Sequence, residues 1–106
     1  MTTTHHRIVI VGGGTAGITT AARLLRKGQD DIAIVEPSDT HYYQPLWTLV
    51  GGGIEPVAKS ARPMAKVMPK GATWIRDAVE TIEPDDRRVV LRSGDEVSYD
   101  YLVVAP

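Results

Sequence analysis

The sequence predicts an α/β fold, a βαβ unit on a parallel sheet followed by a β-meander that returns to that sheet. Three observations carry this. Two short apolar runs, Arg7–Val11 and Ile32–Val35, are rich in β-branched residues and lack polar alternation, as strands buried on both faces do. Between them, Ile18, Ala21, Ala22 and Leu25 fall at the spacing of one helix face. After residue 72 the chain turns to short β-branched segments separated by turn residues.

The first unit covers residues 7–36. A strand, a glycine-rich turn, a helix and a second strand make βαβ, whose crossover is right-handed. Arg23, Arg26 and Lys27 sit near the helix C-terminus, where cations suit the dipole, and Gly28 is the expected stop. Residues 37–71 hold Pro37, Pro45, Pro56, Pro63 and Pro69, so loops with short helical turns near 46–50 and 63–68 are expected. Residues 72–106 predict a strand from Thr73 to Val79, a turn at Glu83–Asp86 and a strand at Arg88–Arg92. A hairpin turn at Ser93–Asp95, a strand at Glu96–Tyr99 and a return strand at Tyr101–Ala105 complete it.

Composition narrows the function classes. The 106 residues carry a net charge of -1, which gives no electrostatic basis for binding nucleic acid. No apolar run approaches the ~20 residues that span a bilayer. Met1 to His6 is polar, without an apolar signal core, so residues 1–6 are expected to be a disordered tail and no export signal is expected. There are no cysteines, so no disulfide, thiolate nucleophile or cysteine metal site lies within the chain, and no other residues have metal-ligand spacing. The chain stops on the apolar strand Tyr101–Pro106, and it is therefore expected to be a piece of a longer protein, with a fold incomplete at its C-terminus.

The chemistry-bearing motif is Gly12-x-Gly14-x-x-Gly17 between strand and helix. The first glycine permits the tight turn, the second lets backbone approach a pyrophosphate, and the third lets helix and strand pack closely. The helix N-terminus offers unpaired N–H groups to phosphates. Glu36 closes the second strand, where an acid accepts hydrogen bonds from a ribose. Its charge disfavours a 2′-phosphate. This fingerprint alone does not separate FAD from NAD.

The remainder separates them by resemblance. A βαβ unit, a meander and a return strand ending at Val104-Ala105-Pro106 resemble the Rossmann-like FAD domain of the two-dinucleotide-binding-domain flavoproteins, in which an Ala-Thr-Gly-like turn follows against the flavin. The stretch from His41 through Tyr42, Tyr43, Gln44, Pro45, Leu46 and Trp47 to Gly53, with Glu36-Pro37-Ser38, Arg62-Pro63 and Trp74-Ile75, is similar to the mitochondrial-type branch of sulfide:quinone oxidoreductases. The resemblance runs from Ile8 to the last residue.

The resemblance implies FAD as cofactor, with Thr15 and Ala16 beside Gly12, Gly14 and Gly17 at its pyrophosphate and Glu36 at the adenosine ribose. It implies Gln44 reaching the FAD, Val79 presenting backbone to the adenine, and Ala105 near the flavin. It implies sulfide and a quinone as substrates of the parent protein, and a pair of redox cysteines beyond residue 106. No catalytic residue is then expected in this segment, which is expected to be inactive alone. Contact with a membrane is expected to be peripheral, through later parts of the chain, and the location cytoplasmic or at a membrane surface. Apolar faces left open by truncation would favour self-association. Two alternatives stay open: a segment of an NAD(P)H:quinone oxidoreductase or other pyridine nucleotide-disulfide-type flavoenzyme, and a stand-alone nucleotide-binding module.

Other residues have plainer readings. His41 reads as a structural loop histidine before a proton relay. Trp47 and Trp74 read as core residues, and Tyr42 and Tyr43 as packing at least as readily as site residues. Gly51–Gly53 reads as a turn, Arg62 as a surface or phosphate-pairing cation, and Asp85–Arg88 as a solvated turn.

Overall fold

The computed structural model describes residues 2–42 and 61–106. Strand β1 (Thr3–Val11) leads into helix α1 (Thr15–Arg26) and strand β2 (Ile32–Val35). A short antiparallel pair follows, β3 (Thr40–Tyr42) with β4 (Ala61–Pro63), and then the one-turn helix α2 (Met64–Val67). Strands β5 (Ala72–Ile75), β6 (Val79–Glu83), β7 (Arg88–Leu91) and β8 (Glu96–Val104) complete the described elements.

The main sheet has six strands in the order β5-β2-β1-β8-β7-β6. Pairings β5–β2, β2–β1 and β1–β8 are parallel, and β8–β7 and β7–β6 antiparallel. Strands β5 and β6 lie at opposite ends of that order, yet only residues 76–78 join them. The meander therefore folds back over the parallel strands, and the N–H of Arg92 donates to the carbonyl of Ala78 at 2.8 Å across the junction.

Two cores result, one on each face of the parallel strands. Ile8, Ile10, Ile32 and Ile34 face α1 with Ala21, joined by the half-buried Leu24 and Leu25. Val9, Ala33 and Val35 face the meander with Val89, Leu91, Val97 and Tyr99. This alternation explains the unbroken apolar runs, since both faces of β1 and β2 are covered. Helix α1 buries fully only Gly17 and Ala21, so its hold on the sheet rests on close approach of backbone. It ends as its sequence predicts: Gly28, at φ 87°, donates to Leu25 O and Gln29 donates to Leu24 O, the paired bonds of a Schellman motif.

Several sequence expectations change. Residues 3–6 are not a disordered tail: they extend β1 and pair with Glu96–Tyr99. Polar partners replace apolar burial there. Thr2 N–H donates to Asp95 Oδ1 (2.9 Å), His5 Nδ1 bonds Ser98 Oγ (2.7 Å) and His6 Nδ1 bonds Asp31 Oδ1 (2.8 Å). The single strand expected at Thr73–Val79 is two strands at opposite sheet edges, and the two expected at Glu96–Tyr99 and Tyr101–Ala105 are one. Arg88 is no solvated turn residue. It opens β7 and pairs with Glu83 (3.1 Å), Glu96 (3.2 Å) and Asp86 (3.6 Å), tying the meander's strands together. The helical turn near 63–68 is α2, and the one expected at 46–50 lies outside the described residues.

Candidate functional site

The site begins where β1 ends. From β1 the chain steps one way through β2 to β5, and β8 returns on the other side. The carboxyl ends of β1 and β8 therefore flank a topological switch point, where open α/β sheets bind ligands.

The glycines are shaped by what lies against them. Gly12 has φ 113°, and a Cβ there would overlap the carbonyl oxygen of Ala105. A Cβ on Gly17 would overlap the carbonyl of Gly12, so this glycine sets how closely α1 approaches β1. Gly12 N–H donates to Val35 O (3.0 Å) and Ala105 N–H to Val11 O (2.8 Å), which holds the loop between β2 and β8. Gly14 differs: a Cβ there would meet nothing within 4 Å. It is the N-cap of α1 in extended conformation, with no side chain capping the helix and no acid in the first turn. The first N–H groups of α1 thus open on free space with the positive end of the dipole behind them.

That space is an open cleft of about 610 Å³. Gly14, Thr15 and Ala16 line one end, Thr19, Thr20 and Arg23 continue along α1, and Ala105 and Pro106 form the opposite side. The structure brings Gly14, Thr15, Ala16 and Ala105 together on it, with Gly12 and Gly17 behind. Arg23 carries a cation into the cleft besides its place near the helix C-terminus. Thr19 and Thr20 escaped the sequence reading, and Arg23 was read there only as a helix-end cation, although their spacing with Ala16 marks a face opposite the apolar one.

Glu36 stands beside the loop. Its Oε1 accepts from Gly13 N–H (2.8 Å) and its Oε2 from Ser38 N–H (2.8 Å). A Cβ on Gly13 would come 2.7 Å from Glu36 Cγ, so a third glycine is required by space. The three consecutive glycines at 12–14 were the available signal. A carboxylate has about four acceptor positions, so two remain beyond these bonds.

The surroundings fix Glu36 further. Its N–H donates to Ile75 O (3.0 Å), and Trp74 Nε1 donates to its carbonyl (3.0 Å). Trp74 is half-buried, not a core residue. Arg76 stacks over its ring at 4.4 Å and pairs with Asp39 (3.2 Å). His41 is buried, with Nδ1 3.1 Å from Gly13 O, which is a structural contact. Val79 opens β6 and packs against the core under the meander, not on the cleft. Gln44, Tyr43, Trp47 and Gly51–Gly53 lie outside the described residues. Among the described residues no cluster has the make-up of a metal site, and no helix is long and apolar enough to cross a membrane.

Sequence comparison decides the family. The profile of pyridine nucleotide-disulphide oxidoreductases matches residues 6–106. The chain belongs to this family. Among curated relatives, the mitochondrial sulfide:quinone oxidoreductase of Dictyostelium discoideum is 50% identical over 91 residues, covering 84% of this chain and 20% of the relative. That of Mus musculus is 47% identical over 90 residues, again covering 84% and 20%. Among solved structures, the sulfide:quinone oxidoreductase of Aquifex aeolicus superposes with a TM-score of 0.77 at 30% identity, covering 95% of this chain and 24% of that one. The chain spans about a fifth of the length of the first two relatives. In this family member, the glycine loop, Glu36 and Ala105 meet at the carboxyl ends of β1, β2 and β8.

Proposed function

We propose that this chain is the FAD-binding part of a flavoprotein that oxidises sulfide and reduces a quinone. The observation that carries the reading is the 50% identity, over 84% of the chain, to a protein named sulfide:quinone oxidoreductase. The site supports the cofactor. The open space at Gly14 and the uncapped start of α1 suit a pyrophosphate, and the free acceptor positions of Glu36 suit an adenosine ribose.

In this reading, the N–H groups of Gly14, Thr15 and Ala16 hold the pyrophosphate, with Arg23 adding positive charge nearby. Glu36 orients the ribose, and Ala105 lies toward the flavin end. Gln44 reaches the cofactor from the loop after β2. The main chain at Val79 meets the adenine; it comes four residues after Ile75, whose carbonyl accepts from Glu36 N–H. Bound FAD supplies the two-electron chemistry. The residues of this chain contribute position and electrostatics. With no cysteine in the chain, the cysteine pair that reacts with sulfide belongs to a later part of the protein, as does peripheral contact with the quinone's membrane.

The test is quinone reduction by the full-length protein, with sulfide and NADH supplied separately. Reduction with sulfide and not with NADH is expected. Reduction with NADH alone would keep the flavin site and move the activity to an NADH:quinone oxidoreductase.

A further inference from the structure

We infer that His41 is a positioning residue for the cofactor, acting by holding the Gly13–Gly14 peptide in one orientation; the inference rests on the FAD reading of the cleft. Segment 36–41 grips Gly13 from both sides. The Glu36 carboxylate accepts its N–H at 2.8 Å, and His41 Nδ1 lies 3.1 Å from its carbonyl oxygen. A carbonyl only accepts, so this imidazole nitrogen carries the proton. The grip is itself braced. Ser38 N–H donates to the other oxygen of Glu36, and Ser38 Oγ donates to Thr40 O at 2.8 Å. His41 sits on β3, in register with Arg62, and Met64 N–H donates to Asp39 O at 2.7 Å with the Met64 side chain buried.

The consequence lies one atom along the chain. In a trans peptide the carbonyl of one residue and the N–H of the next point to opposite sides. With Gly13 O held on His41, the N–H of Gly14 faces away from His41, and Gly14 lines the cleft. A glycine pair has the freedom to turn this peptide over, which would withdraw that N–H from a bound phosphate. His41 removes that freedom. The Gly13 carbonyl is buried, so losing its donor also leaves an acceptor unpaired.

The full-length protein is prepared as wild type, His41→Ala, His41→Asn and His41→Gln. The Asn amide nitrogen falls where Nδ1 of histidine does, whereas the Gln amide reaches past it. The FAD dissociation constant, read by fluorescence of released flavin, is expected to rise about five- to tenfold in the Ala and Gln variants and stay within about twofold in Asn. Amide exchange at Gly14, Thr15 and Ala16 in flavin-free protein is expected to quicken in the same order. Asn as weak as Ala, or three variants equal to wild type, overturns the inference. If the Ala variant does not fold, equal Asn and Gln values overturn it. Wild-type protein that retains no FAD would refute the cofactor reading, and the exchange rates would then decide the grip by themselves.

Discussion

Replacing Glu36 with alanine is expected to destabilise the protein even when no cofactor is present. Its two carboxylate oxygens each accept a backbone N–H at 2.8 Å, one from Gly13 and one from Ser38. The two bonds differ in worth. Gly13 is buried, so its N–H loses a charged partner with no ready access to water, at a cost of about 1.5–3 kcal/mol. Ser38 is exposed and water replaces most of its bond, so about 0.5 kcal/mol is lost there. The sum is about 2–3.5 kcal/mol. With a urea slope of roughly 1–3 kcal/mol per molar, the midpoint should fall by about 1 M. Glu36→Gln keeps one oxygen for Gly13 and leaves Ser38 to solvent, so it should cost about 1 kcal/mol. The assay is urea unfolding of flavin-free protein followed by tryptophan fluorescence. An alanine variant with an unchanged midpoint, or a glutamine variant as damaged as alanine, would show that Glu36 does not hold the loop. Any FAD loss on substitution would then report the ribose contact alone.

The remaining expectations concern the same neighbourhood and the far end of β1. Gly12→Ala should abolish folding or cofactor retention, because its Cβ meets Ala105 O and its φ is 113°; a variant with wild-type melting temperature and flavin content contradicts this. Trp74→Phe removes the Nε1 bond to Glu36 O and weakens the Arg76 stack, with an expected loss of about 1–2 kcal/mol by thermal unfolding. Asp31 is held below the usual carboxylate range, first by its hydrogen bond with His6 and then by Arg7 N–H. Its folded pKa is depressed, so its contribution is present above the unfolded value of about 3.9 and is lost as pH falls through the folded value. Asp31→Asn should therefore flatten the acid limb of stability against pH, and an unaltered limb would count against the His6–Asp31 bond as its source.

How far the sequence carried the structure depends on where the information sits. The βαβ unit was legible because its signals are local: β-branched runs buried on both faces, one helix stripe, Gly28 at the helix end. The fingerprint glycines and Glu36 were legible for the same reason. Gly13 was not, because what excludes a side chain there is Glu36, a residue distant in sequence. His41 showed only that a histidine was present; its partner is a carbonyl on the other side of the loop. Residues 3–6 carry no strand pattern, and they are a strand because Glu96–Tyr99 arrive beside them. Thr73–Val79 misled because three residues that look like a continuing strand instead carry the chain from one sheet edge to the other.

The pairing of β1 with β8 sets an order of events for a chain being made. Thr2 bonds to Asp95 at a sequence separation of 93, and Gly12 is roofed by Ala105. Contacts that distant close slowly, and none of them exists until the last strand is available. The glycine loop is thus synthesised well before β8 and takes its final shape only once β8 is in place. Cofactor loading should follow synthesis of β8, and nascent chains stopped before it should remain protease-sensitive with or without added FAD.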